Sequence, residues 1–112
     1  MIEELKIYRD VSEMNKRIFI IVKNFPRDYK FTLGTRIQNL ALDCADLIYK
    51  SARHKEKRHH LDDLISNLDF LSFLIRMGKD INIITEKQYS LYVESSRPCV
   101  KQAMGWFKSA SK

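Results

Sequence analysis

Apolar residues recur every three or four positions along most of this chain, and no stretch shows the strict alternation of a strand. In residues 3–24, Ile7, Val11, Met14, Ile18, Ile21 and Val22 share one direction to within about 50° at helical rotation. Phe25 extends that stripe, and Pro26 ends it because the residue before a proline is pushed out of the α region. A second helix is predicted over about 31–53, with Leu33, Ile37, Leu40, Ala41, Cys44, Leu47 and Ile48 on one face and Gly34 weakening its first turn. Residues 53–60 hold no apolar side chain and read as a basic connection. The third segment, about 60–80, lines up Leu61, Leu64, Ile65, Leu68, Leu71 and Ile75, with Asp62 and Asp63 in its first turn, where the helix dipole favours anions. Asn82 is a plausible left-handed stop. Thr85 and Gln88 then fit a capping box that opens a fourth helix over 86–109. That helix aligns Tyr89, Tyr92, Val93, Ser96, Val100, Ala103, Met104 and Phe107, and Pro98 inside it is expected to bend it.

Four amphipathic helices with short connections predict an all-α, up-down-up-down four-helix bundle, one domain over residues 1–112. The size agrees, since 112 residues support one core without help from disulfides. A composition 45% hydrophobic, with 3 Gly and 2 Pro, is too apolar for a disordered chain and too poor in turn residues for a sandwich or barrel. Two cysteines, Cys44 and Cys99, make no disulfide framework and favour a reducing compartment. The start of the chain has acids where a signal peptide would be basic, and no apolar run reaches the roughly 20 residues that span a bilayer. The expectation is a cytoplasmic protein with no membrane role.

Charge sharpens the picture. The chain carries a formal +6, which suits a polyanion partner. Arg9, Lys16, Lys23 and Arg27 fall opposite the core stripe of the first helix, a row about 30 Å long at 1.5 Å per residue. Arg53, Lys55, Lys57 and Arg58 concentrate charge between the second and third helices. Arg97, Lys101 and Lys108 repeat the idea more weakly on the fourth. A row of cations can track a nucleic-acid backbone and release its counterions, although any solvent face of a basic protein carries such residues. The third helix adds a second apolar stripe, Phe70, Phe73, Leu74 and Met77, nearly opposite the first. An exposed stripe of this kind calls for a cover, most simply another copy of the chain. Arg76 and Lys79 lie in the polar seam between the two stripes, where Arg76 either pairs with Asp69, Ser72 or Asp80 or faces the groove of an assembly.

Catalytic chemistry is not apparent. His54, His59 and His60 lie close in sequence, but adjacent helical residues point about 100° apart, which disfavours joint chelation. The paired carboxylates, Asp43 with Asp46 and Asp62 with Asp63, suit a solvated surface, and Cys44 lies on a core stripe. No metal, cofactor or catalytic residue is expected.

The stretch FPxxYxxTLGxxIQ at 25–38, followed by FLIRMGKD at 73–80 and GWFKS at 105–109, resembles the accessory variability determinant (Avd) proteins encoded beside the reverse transcriptases of diversity-generating retroelements. The resemblance covers essentially the whole chain. It implies a homopentameric barrel of four-helix bundles with a positive surface and no catalytic activity. It also implies partners: nucleic acid, as RNA or an RNA/DNA hybrid read with weak sequence specificity, and the cognate reverse transcriptase, in mutagenic retrohoming. Arg76 and the basic residues of the first helix match the family's charged residues by position. Pro98 departs from the family pattern. The 23S rRNA intervening-sequence proteins share the Phe-Pro entry but continue with an Arg-Arg-Ala helix, where this chain has Arg36-Ile37-Gln38-Asn39. The alternatives are an RNA-binding bundle of that kind and a helical protein-interaction module that binds no nucleic acid.

Overall fold

The structure is a computed structural model that describes residues 5–110. Its long helices are α1 (Lys6–Lys23), α2 (Thr35–Arg53), α3 (Arg58–Asp80) and α4 (Glu86–Ala110), and no strand occurs among the described residues. The first helix was expected from residue 3, and residues 3 and 4 lie outside the described range. The basic connection is shorter than the sequence suggests. The helices claim Arg53 and Arg58, leaving four residues between them.

Touching residues fix the topology. Tyr8 on α1 meets Tyr49 on α2, and Asn15 donates to the Ala41 carbonyl at 2.8 Å, so these helices run in opposite directions. Arg36 on α2 reaches Phe70 on α3. Ser72 and Arg58 on α3 reach Tyr92 and Phe107 on α4. Gln102 returns from α4 to Asp10 at the start of α1, at 2.6 Å. Each helix thus packs on its neighbours in sequence, and α4 closes the ring on α1. This is the expected up-down-up-down four-helix bundle, with α1 and α3 diagonal across it.

The core contains every expected residue of α1, together with Ile37, Leu40, Ala41, Cys44, Leu47 and Ile48 of α2. Fully burying one such aliphatic side chain contributes about 1.5–3 kcal/mol. Leu61, Leu64, Leu68, Leu71 and Ile75 of α3 are buried as expected, and two faces differ from expectation only at their edges. On α3, Leu74 is only 7% exposed and packs inward with Leu71, Ile75 and Gly78, at spacings of three and four residues. It therefore belongs to the core and not to the outward stripe, and Ile65 sits half-buried at the core's edge. On α4 the innermost line is Tyr92, Ser96, Cys99 and Ala103, while Met104 is exposed. Three of those four are small, so α4 approaches closely and its larger Tyr89, Val93, Val100 and Phe107 flank the contact.

Local chemistry accounts for the connections. After Pro26, a single helical turn (Arg27–Tyr29) runs into a π-helical segment (Lys30–Gly34), in which the Thr35 N–H reaches back five residues to the Lys30 carbonyl. Gly34 has a reason beyond the weakened turn, because a Cβ there would stand 2.9 Å from Val22 Cγ1. The end of α1 thus packs directly on its backbone. Asn82 adopts a φ of 69°, the left-handed stop expected of it. The capping box forms in full: Gln88 N–H donates to Thr85 Oγ1 at 3.0 Å, and Thr85 N–H donates to Gln88 Oε1 at 2.9 Å. Helical structure continues through Pro98. Just before it, the Ser95 and Ser96 hydroxyls donate to the Tyr92 and Val93 carbonyls.

Candidate nucleic-acid interface

The expected basic residues do not form one site. They separate into three groups, set by which element carries each. The first is the outer face of α1, where Arg9, Lys16 and Lys23 are all exposed at seven-residue spacing. Lys16 is paired with Glu13 at 3.3 Å, but both side chains are about 70% exposed, and such surface pairs contribute little. Arg27 is exposed yet lies outside this row, because Pro26 has already ended the helix and the chain has turned.

The second group gathers where α2 passes into α3. Arg53, Lys55 and Arg58 are exposed there, and Lys57 is half-buried. Two of these cations lie over aromatic rings from the end of α4. The Lys57 ammonium is 5.6 Å from the Trp106 ring centroid, and the Arg58 guanidinium carbon is 5.3 Å from that of Phe107. The aromatics hold long side chains in place that would otherwise wander. The histidines join this end, with His54 Nδ1 and His60 Nε2 3.0 Å apart and the His59 and His60 rings 3.9 Å apart. Desolvation and then the neighbouring His59 and His54 push the His60 pKa down. Among the described residues, no group of three or more His, Cys, Asp or Glu side chains is placed to hold a metal ion.

The third group, Arg76 and Lys79, lies at the opposite end of the bundle and is already engaged. Of the three partners weighed for Arg76, Asp80 takes it, at 3.2 Å, and this contact raises its pKa. Lys79 pairs with Glu86 at 3.4 Å, and both cations lie over Tyr89, at 5.9 and 5.0 Å. The polar seam is thus a local network that ties α3 to the start of α4.

The outward stripe of α3 consists of Phe70, Phe73 and Met77, with Phe73 62% exposed. Phe70 and Phe73 lie nearly parallel, their centroids 6.1 Å apart, and Arg36 covers Phe70 at 5.4 Å. The sequence reading missed Arg36 because the contact joins two helices, and helical periodicity describes only one at a time. Phe31 was likewise missed as a surface group and is 74% exposed, on the π-helical segment. Since α1 and α3 are diagonal, this aromatic face and the cationic row of α1 point away from each other.

The fold is an all-α four-helix bundle with a filled core, and its cations and exposed aromatics lie on the outside. Within that class the assignment is specific. A family model described as bAvd-like matches residues 3–110, and the chain belongs to the bAvd-like family. No curated protein matches it.

Proposed function

We propose that this protein is a non-enzymatic accessory factor of a diversity-generating retroelement. In this reading it holds template RNA or its cDNA hybrid through phosphate contacts and associates with the cognate reverse transcriptase in the cytoplasm. It acts as a homo-oligomer, in the pentameric form that the Avd resemblance implies, with Phe70, Phe73 and Met77 covered by a neighbouring subunit. One observation carries the reading beyond family membership: the cations of α1 stand diagonally across the bundle from the aromatic face of α3. Assembly through α3 leaves the α1 row open to a polyanion. Recognition is of backbone and not of base, because long, mobile lysines neutralise phosphates without a rigid geometry for base edges.

The test is binding of a labelled single-stranded RNA and an RNA/DNA hybrid across a salt series. The logarithm of affinity should fall linearly with that of salt, by about 0.7 per neutralised phosphate on a single strand. Replacing Arg9, Lys16 and Lys23 with Gln should weaken binding and make the slope shallower by roughly two. A flat salt dependence in the unaltered protein excludes phosphate contact. An unchanged slope in the variant moves the contact to Arg53, Lys55, Lys57 and Arg58.

A further inference from the structure

Where α1 lies against α4, Ile20, Ile21 and Leu91 form the apolar wall of a cleft of about 290 Å³. Ile20 is 62% exposed there, and Phe19 beside it is 38% exposed, so this end of α1 presents apolar surface outside the core. Arg17 lines the same cleft, and its Nε is closed to solvent yet has no hydrogen-bond partner. The acid one turn earlier, Glu13, pairs instead with Lys16. Gln88, on the α4 side, already accepts the Thr85 N–H with its amide oxygen. A guanidinium N–H withheld from water and left unmet is costly, and a turn of the Arg17 side chain that brings it to an incoming acceptor removes that cost.

We propose that this cleft docks a segment of a protein partner carrying an acidic side chain next to a bulky apolar one. The carboxylate meets Arg17, whose planar fork presents two N–H groups in the geometry a carboxylate accepts. The apolar side chain lies on Ile20 and Leu91. The aliphatic wall favours a peptide over a nucleic-acid strand, because bases seat on flat aromatic faces and this cleft has none. The cleft borders the α1 cation row at Lys16, which lines both, but Arg17, Ile20 and Leu91 belong to the cleft alone and would identify one contact through which a protein partner is held.

The experiment is an NMR titration of the intact protein, following the Arg17 Nε–H signal and the methyl groups of Ile20, Ile21 and Leu91. The probes are the capped peptide acetyl-Ala-Leu-Glu-Phe-amide and its counterpart with Gln in place of Glu. The Glu peptide should shift all four residues at millimolar concentration, and the Gln peptide should bind about tenfold more weakly. Arg17→Gln should abolish the difference between the two peptides. Equal response to both peptides, or no response to either, overturns the proposal. So does a tri-uridylate that shifts the same signals as strongly as the Glu peptide, which would assign the cleft to phosphate. No nucleic acid is needed for the peptide arms, so their failure leaves the RNA reading standing, and failure of RNA binding leaves this one standing.

Discussion

At the scale of single residues, the two α-helical glycines Gly78 and Gly105 make opposite predictions. Gly78 is buried, and a Cβ there would lie 2.7 Å from Ile84 Cδ1 and 3.1 Å from Ile84 Cγ1. Ile84 is itself only 2% exposed, so it has little room to yield. Gly78→Ala should cost about 1–3 kcal/mol, read from the urea midpoint. Gly105 has nothing within 4 Å of that position, and Gly105→Ala in the same assay should stabilise by about 0.4–1 kcal/mol. The buried titratable groups set an alkaline limit. Burial pushes the Tyr92 phenol from 10.0 up to about 12, and the Cys44 and Cys99 thiols from 9.0 up to about 12. The folded chain then holds these protons more tightly than the unfolded one. Their contribution is complete below pH 9 and is lost as pH rises from 9 through 12, which denaturant midpoints measured at pH 8, 10 and 11.5 will show.

At the scale of elements, the start of α4 rests on two reciprocal hydrogen bonds between Thr85 and Gln88. Thr85→Ala removes one acceptor and should cost roughly 1 kcal/mol, with faster amide exchange confined to the first turn of α4. This box was legible in the sequence because its residues are local, and so were Asn82, Pro26 and the core stripes of α1 and α2. What escaped was anything decided between helices. Leu74 lies at a boundary angle on α3, and only the position of the neighbouring helices turns it inward. The α4 face was largely legible, Tyr92, Ser96 and Ala103 among it, but hydrophobicity weights Met104 above Cys99, whereas close approach selects the smaller residue. Most of the basic residues are exposed, while Lys57 and Lys79 are half-buried. Their division into a row on α1, an end held by Trp106 and Phe107, and a network around Tyr89 depended on contacts across the fold.

At the scale of the whole molecule, the bundle is 44 Å long and 22–23 Å across, with cations and aromatics on diagonal helices. Phe73→Glu places a charge in the centre of the α3 face. It should convert an assembly near five times 13.3 kDa into smaller species by light scattering, while helical content is unchanged. A mass that does not depend on Phe73 would place the subunit contact elsewhere. The π-helical segment Lys30–Gly34 has a different consequence. A π turn holds about one residue more than the α turn it replaces, so the surplus is contained where it arises and the faces of α2 beyond it keep their direction. Loss of one residue within 30–34 would relax the turn to ordinary α geometry, whereas the same loss further along α2 would rotate everything after it by about 100°. Over evolutionary time this is where the chain can change length without moving its surfaces, and relatives one residue shorter should have their gap there.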